Sequence, residues 1–167
     1  MLHLVLYHPA IPQNTGNIAR TTVGMGAHLH LIHPMKFEIT DHAVKRAGLD
    51  YWPSVTLTEH ADDDAFLDWL ASPTCKGGGG NRDPWLVTKF GTHRFDAPAY
   101  ADGDVIILGN ENTGLPEAWH ERWPDRTVFI PMPGNAAAAS GGIRSYNLAN
   151  AAAIVLSQAT IKVGEFF

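Results

Sequence analysis

The chain of 167 residues contains a single cysteine, Cys75, and no long hydrophobic run. One cysteine excludes an internal disulfide and any zinc site built from several cysteines, and it suits a reducing compartment such as the cytoplasm. The most apolar stretch, Leu148–Leu156, is much shorter than the roughly 20 residues that span a bilayer. The first residues, Met1 to His3, lack the basic start of a signal peptide. We therefore expect a cytoplasmic protein that does not contact a membrane.

Basic residues are also few: 12 Lys and Arg stand against 17 Asp and Glu, for a net charge of −5. Because contacts to phosphate need Lys and Arg, this balance argues against a nucleic-acid substrate unless the cations cluster. The acidic block Asp62–Asp64 falls in one predicted helix, whereas Arg20 and Arg144 fall in or beside polar turns. A local basic surface can form on an acidic protein if such cations meet in space.

Several common enzyme motifs are absent. No G-x-G-x-x-G opens a helix after the first strand, and no G-x-S-x-G elbow is present. The run Gly77–Gly80 precedes neither Lys-Ser/Thr nor a helix, so it indicates a flexible surface loop and not a phosphate loop. Among the nine histidines, His28, His30 and His33 are close in sequence, but their spacing matches neither a helical His pair nor a Cys/His set. The spacing therefore predicts no metal site.

Strand-like and helix-like stretches alternate, which predicts one α/β domain over residues 1–167, with a mainly parallel sheet and helices on both faces. A chain of this length, with 45% hydrophobic residues, is sufficient for one core. The predicted strands are Leu2–Tyr7, His28–Ile32, Trp85–Thr88, Val105–Leu108 and Thr127–Ile130. The predicted helices are Thr15–Met25, Asp41–Ala47, Ala61–Leu70, Pro116–Trp123 and Asn147–Thr160.

Three polar, mostly Asn- and Gly-containing turns lie where a predicted strand gives way to a helix: Asn14–Arg20, Gly109–Pro116 and Arg144–Asn150. Ser145 or Asn147 can cap the last helix by accepting hydrogen bonds from its free N–H groups. A long loop, Gly134–Gly142, precedes the third turn and is predicted to be mobile. Ligands of open α/β sheets bind beyond the carboxyl ends of the strands, so the turns predict a ligand site at that edge.

Together the turns resemble those of the SPOUT class of RNA 2′-O-methyltransferases, and closely its smallest members, which modify the tRNA wobble nucleotide. The connecting motifs are similar in the same order: Leu4–Tyr7, His33–Met35, Arg46–Tyr51 and Asp102–Asp104. The resemblance covers nearly the whole chain, from Met1 to Ala159. It implies an α/β fold whose C-terminal strand ends form a trefoil knot that holds S-adenosylmethionine. Knots are rare in proteins, and nothing in the composition predicts one.

The resemblance implies that Arg20 is the catalytic residue tied to activation of the ribose 2′-hydroxyl. Because an arginine guanidinium remains protonated in proteins, we expect Arg20 to stabilise a phosphate and the developing alkoxide and not to act as a free base. The residues expected to contact the RNA are Asn14, Asn17, Arg46, Arg144 and Asn150.

The residues expected to bind S-adenosylmethionine are Val87, Thr88, Gly109, Glu111, Ile130, Met132, Ser145 and Leu148. An adenine ring needs an apolar slot and hydrogen bonds from the backbone, and Ile130, Met132 and Leu148 can form the slot. Gly109 permits a close approach of the backbone. Glu111 is the acid of the second turn, placed by the resemblance near the methyl donor or the partner subunit.

We expect no separate RNA-binding domain, so the resemblance implies a homodimer whose sites take residues from both subunits, Arg20 and Glu111 being candidates. The expected partners are tRNA and a second copy of the chain, with no other protein implied. The expected target is the wobble cytidine or modified uridine of leucine tRNAs. Three alternatives stay open: another tRNA or rRNA position, a small-molecule methyltransferase, and a binding module without catalysis. The last is favoured by Thr113, which stands where the subfamily usually has an arginine.

Overall fold

The computed structural model describes residues 1–39, 50–72, 83–137 and 142–164. The strands of these residues are β1 His3–Tyr7, β2 His28–Ile32, β3 Leu57–His60, β4 Trp85–Val87, β5 His93–Arg94, β6 Val105–Leu108 and β7 Thr127–Phe129. The helices are α1 Pro12–Met25, α2 Asp63–Ala71, α3 Glu117–Arg122 and α4 Leu148–Val163, with short 3-10 helices at Trp52–Ser54 and Pro133–Ala137. The predicted helix Asp41–Ala47 and the loop Gly77–Gly80 lie outside the described residues.

All seven strands belong to one parallel sheet, in the order β3-β2-β1-β6-β4-β7-β5. This confirms the predicted fold class, but the sequence missed β3 and β5. Both lie at edges of the sheet, where a strand buries little of its surface. The segment Leu57–His60 contains no apolar run, and the two residues of β5 are exposed, so neither carries the hydrophobic signal of a buried strand.

Helices cover both faces of the sheet, which is why its central strands are apolar on both sides. On one face, called the α1/α4 face, residues such as Leu4, Leu29 and Ile106 pack against α1 and α4. On the opposite, α2/α3 face, the buried residues include Val5, Ile107, Phe66, Trp119 and Trp123. Among the described residues, no helix has the length and apolar character needed to span a membrane.

Helix α1 begins earlier than predicted, at Pro12 instead of Thr15. Proline suits the first helical position because its φ is already helical and its missing N–H would have no partner there. The segment Asn14–Arg20 is therefore not a turn but part of the helix. The chain turns before it, at residues 8–11.

Four histidines of β1, β2 and β3 lie on the α2/α3 face: His3, His28, His30 and His60. His30 contacts two others, because its Nε2 lies 3.0 Å from His3 Nδ1 and its Nδ1 lies 3.0 Å from His60 Nε2. Burial, followed by repulsion between neighbouring imidazoles, lowers the pKa of His3 to about 4 and of His30 to about 2. Burial also lowers the pKa of His28 and His60. Folding therefore keeps these imidazoles neutral at neutral pH.

We expect the metal-free protein to lose stability as the pH falls below about 6.5, because histidines of the unfolded chain are then protonated while the buried imidazoles of the folded protein remain neutral. For His3 the loss continues down to about pH 4, its folded pKa. Urea unfolding in EDTA at about pH 7.5 and about pH 5 measures the difference. The difference in free energy of unfolding between the two pH values should be smaller in His3→Gln than in the wild type. In His93→Gln, whose side chain is exposed on β5, it should equal that of the wild type. An equal difference in both variants and the wild type would contradict this assignment.

Candidate functional site

The predicted site residues gather where four neighbouring strands end. β1 pairs with β6, β6 with β4, and β4 with β7, so the loops that follow these strands lie side by side. Thr88, Gly109 and Ile130 are the first residues after β4, β6 and β7. In the sheet, β2 and β3 lie on one side of β1, whereas β4 and all later strands lie on its other side. The order of the strands therefore reverses between β1 and β6. Open α/β sheets bind ligands at such a reversal.

A chain of side-chain hydrogen bonds joins all three predicted turn regions at this edge. Asn14 Nδ2 donates to Glu111 Oε1 at 3.2 Å, and Asn14 Oδ1 accepts from Asn147 Nδ2 at 2.9 Å. Asn14 is 5% exposed. The amide of Asn14 is therefore committed to holding other segments of the protein, which differs from the predicted contact with RNA.

Glu111 is bonded to the turn that follows β1. Besides Asn14, its carboxylate accepts from the backbone N–H groups of Ala10, at 2.8 Å, and Ile11, at 3.1 Å. These donors precede α1, so the carboxylate fixes the entry of that helix against the loop after β6. The prediction placed Glu111 near the methyl donor or the partner subunit; in the structure its oxygens accept hydrogen bonds from the chain itself.

The loop after β6 closes on itself and also holds the β1 turn. The backbones of Asn110 and Gly114 exchange hydrogen bonds of 3.1 and 2.9 Å, and a Cβ on Gly109 would lie 2.5 Å from the carbonyl carbon of Gly114. Only glycine fits at position 109 for this reason. Asn110 Oδ1 accepts from the N–H groups of Asn112 and Thr113, and its Nδ2 donates to the carbonyl oxygen of His8 at 2.5 Å.

His8 is a residue of the site that sequence reasoning missed. Its φ is +45°, a conformation that non-glycine residues adopt rarely and often near functional sites. Its ring stacks on Tyr7, and its Nε2 lies 2.8 Å from Asp63 Oδ1. Tyr7 donates to the other oxygen of Asp63, and burial together with this carboxylate raises the pKa of Tyr7 to about 12. The contact between His8 and Asp63 could not be predicted from the sequence, because the two residues are 55 positions apart.

Asn147, and not Ser145, caps α4. Its Oδ1 accepts from the backbone N–H groups of Ala149 at 2.9 Å and Asn150 at 3.4 Å. The segment before it is attached to the exit of β7, since Tyr146 donates from its hydroxyl to the carbonyl oxygen of Pro131 at 3.0 Å. Arg144, Ser145 and Asn150 are exposed.

The predicted mobile loop before the third turn is anchored at its two ends. Pro133–Ala137 forms a short 3-10 helix, and the side chain of Asn135 both donates to the carbonyl oxygen of Ile143 at 2.7 Å and accepts from its N–H at 3.0 Å. Residues 138–141 lie outside the described part of the chain.

The residues predicted to form an apolar slot, Ile130, Met132 and Leu148, follow β7 and begin α4. Val87, Ile130 and Leu148 are half-buried and pack against the core of the α1/α4 face. Met132 and Thr88 are half-buried as well. Part of each apolar side chain is thus covered by the core while part remains open, as the wall of a binding site requires.

Arg20 and Asn17 lie on the solvent-exposed part of α1, whereas Asn14 is buried. Both are exposed and three residues apart, so they share one helix face. The guanidinium of Arg20 lies 4.7 Å from the centre of the Tyr51 ring, and one of its nitrogens lies 3.9 Å from Asp50 Oδ1. Tyr51 in turn donates to the carbonyl oxygen of Gly16. Arg46 lies outside the described residues.

Charge is divided between the two faces. The acidic residues Asp62, Asp63 and Asp64 cap and open α2 on the α2/α3 face. Arg20 lies on α1, whose buried side packs on the opposite face of the sheet. Three acidic residues are thus consecutive at the start of α2, while Arg20, beside the exposed Asp50, lies on the other face.

Comparison with known proteins agrees with this geometry. The SpoU rRNA Methylase family matches residues 1–157. The tRNA (cytidine(34)-2′-O)-methyltransferase of Methylovorus glucosotrophus is 39% identical over 160 residues, which are 95% of this chain and 94% of the relative.

Solved structures match to a similar extent. One concerned with the 2-OH methylation of C/U34 on tRNA superposes with a TM-score of 0.78 at 39% identity, over 97% of this chain and 95% of that one. The SpoU methyltransferase AviRb from Streptomyces viridochromogenes, in complex with AdoMet, has a TM-score of 0.76 at 25% identity, over 97% of this chain and 57% of its own. With its parallel sheet, joined turns and matched length, the chain belongs to the SpoU methylase family.

Proposed function

We propose that the protein transfers a methyl group from S-adenosylmethionine to the ribose 2′-hydroxyl of nucleotide 34 in tRNA. The observation that carries the proposal is the Asn14 hydrogen-bond chain, which assembles the three turns at the strand reversal. Relatives that match almost end to end are named for cytidine(34) 2′-O-methylation, which supports the position. The finer target, cytidine or modified uridine 34 of leucine tRNAs, rests on the family resemblance.

The exits of β4, β6 and β7 fit a nucleoside-containing methyl donor. Val87, Ile130, Met132 and Leu148 offer a partly open apolar surface, and Thr88, Gly109 and Ser145 offer backbone or hydroxyl groups beside it. When bound, S-adenosylmethionine supplies a methyl group already activated by its sulfonium. The chain then has to hold the acceptor oxygen in line with the methyl–sulfur bond, and such alignment is worth roughly 7–11 kcal/mol.

Arg20 is proposed to act on the RNA side of this reaction. As the 2′-hydroxyl loses its proton to solvent, negative charge develops on its oxygen, and a fixed cation stabilises that charge. The oxygen then bonds to the methyl carbon while the methyl–sulfur bond breaks, and S-adenosylhomocysteine leaves. The ring of Tyr51, anchored on Gly16, supports the guanidinium from one side. Asn17 shares this exposed face, and Arg144 and Asn150 are exposed near the start of α4, so these residues are proposed to contact the RNA.

Asn14 and Glu111 are proposed to be positioning residues. They touch neither RNA nor methyl donor in this scheme. They hold the start of α1 at a fixed place relative to the β6 exit and to α4. Because Arg20 lies on the same helix, a shift of α1 would displace it from the place where it acts on the RNA.

The assembly and location follow from the same proposal. A homodimer is proposed to supply the RNA surface, with Arg20 of one subunit near the methyl donor of the other. The C-terminal segment, attached at Pro131 and Asn14 before α4, is proposed to form the trefoil knot typical of the class. A tRNA substrate places the protein in the cytoplasm.

The direct test is transfer of radiolabelled methyl from S-adenosylmethionine to unmodified leucine tRNA, with the labelled nucleotide mapped by nuclease digestion and mass spectrometry. We expect label on the 2′-oxygen of nucleotide 34. A matched tRNA with 2′-deoxyribose at that nucleotide should accept none. Equal labelling of both tRNAs would overturn nucleotide 34 as the site of methylation. Binding of S-adenosylmethionine without label on any RNA would favour a binding module.

Arg20→Ala should lower the rate of methyl transfer by about 10²-fold or more, while the affinity for S-adenosylmethionine stays unchanged. The side chains of Arg20 and Asp50 are 67% and 89% exposed, so stability should change by less than about 0.5 kcal/mol. Arg122→Ala is the matched control, because Arg122 also lies over an aromatic ring, that of Trp123, but on the α2/α3 face. A normal rate in Arg20→Ala would remove that residue from the mechanism.

Asn14→Asp should destabilise the protein by about 1–3 kcal/mol, because it replaces a donor by a carboxylate facing Glu111. Adding Glu111→Gln restores a donor–acceptor pair with residue 14, although the new amide nitrogen then faces the Ile11 N–H, so the double variant should regain part of the stability and of the methyl transfer together. Urea midpoints and single-turnover rates under fully folded conditions measure both. Asn17→Asp, exposed on the same helix, should keep its stability within about 0.5 kcal/mol. Additive effects in the double variant would show that Asn14 and Glu111 are not coupled.

A further inference from the structure

His3, His28 and His30 have no part in the proposed methyl transfer, and His3 and His28 lie at the amino ends of their strands, opposite the candidate site. His3 and His28 are register partners at the first residues of β1 and β2, and His30 is two residues further along β2. Residues two apart in a strand point to the same face, so parallel pairing brings all three imidazoles together. The spacing of the histidines along the chain could not predict this cluster, because it depends on the register in which β1 and β2 pair.

The ring nitrogens are close to the separation that a metal ion requires. One nitrogen from each of His3, His28 and His30 lies within 4.8 Å of the others, and His3 Nδ1 lies 3.0 Å from His30 Nε2. A tetrahedral zinc ion with Zn–N bonds of about 2.0–2.1 Å holds its ligand nitrogens about 3.3–3.4 Å apart. The pair formed by His3 and His30 is therefore near ligand geometry, and a nitrogen of His28 lies within 4.8 Å of both.

A second layer of contacts orients the candidate ligands. If His30 binds metal through Nε2, its Nδ1–H can donate to His60 Nε2, which lies 3.0 Å away. His28 Nε2 lies 2.9 Å from the hydroxyl of Thr58. The indole of Trp69 covers His30, with ring centres 4.2 Å apart. Metal-binding histidines are usually held by such outer contacts, which fix the tautomer and the direction of the ring.

Burial and ligand type select the class of ion. His30 is fully buried, whereas His3 and His28 are half-buried, so an ion can enter from the amino ends of the strands. The cluster contains imidazoles and no carboxylate. Neutral imidazoles suit zinc and related divalent transition metals, whereas magnesium and calcium prefer oxygen ligands.

We propose that His3, His28 and His30 bind one zinc ion, with His60 as the outer partner of His30 and solvent in the fourth coordination position. Such an ion would link the first residues of β1 and β2, and its role would be to stabilise the sheet. This site does not depend on the proposed methyl transfer.

The test is titration of the EDTA-treated and then desalted protein with ZnCl₂, followed by calorimetry and by the melting temperature. We expect one ion per chain and a melting temperature that rises with zinc concentration, since an ion that binds only the folded state stabilises it. His28→Gln should weaken zinc binding by at least about 100-fold, and His60→Gln by about 10- to 100-fold.

His33→Gln is the matched control, because His33 pairs with Glu59 on an exposed surface and is another place where zinc could bind. It should bind zinc as the wild type does. Should His28→Gln fold poorly, His3→Gln and the visible absorption of a Co²⁺ complex of the wild type test the same ligands. No saturable binding below millimolar zinc, or equal binding in wild type and His28→Gln, would overturn the site.

Discussion

The side-chain amide of Asn14 joins segments that are far apart in the chain, and the arrangement of the candidate site depends on it. Its donor bonds Glu111 and its acceptor bonds Asn147, which are 97 and 133 residues away. A buried amide left without partners is costly, so each bond also enforces the position of the segment that supplies it. The start of α1, the β6 loop and the cap of α4 therefore behave as one structural unit.

Much of this unit was visible in the sequence, but its internal connections were not. The apolar run Val105–Leu108 predicted β6, and Asn147 was one of two predicted caps of α4. Both follow from local chemistry, a buried strand and a side chain that reaches the next N–H groups. The partners of Glu111 could not be read in this way, because they depend on how β1 and β6 are paired.

The errors have physical causes of the same kind. Asn14–Arg20 looks like a turn because asparagine and glycine are poor helix formers, yet Pro12 starts a helix that packs on the core and includes them. The two missed strands lie at sheet edges and contain no apolar run. The positive φ of His8 could not be predicted, because it occurs at a residue other than glycine and is stabilised by contacts from the distant Asn110 and Asp63.

The position of β6 between β1 and β4 has a consequence for biosynthesis. Both neighbours precede it in the chain, and His3 pairs with Val105, about a hundred residues later. A ribosome therefore releases the mutually paired β1, β2 and β3, and the still unpaired β4 and β5, before the strand that joins β1 to β4, so unpaired strand edges are exposed meanwhile. Long-range parallel pairing of this kind is slow to form. The order of synthesis thus differs from the order of assembly, and the nascent protein stays incomplete until its last third has emerged.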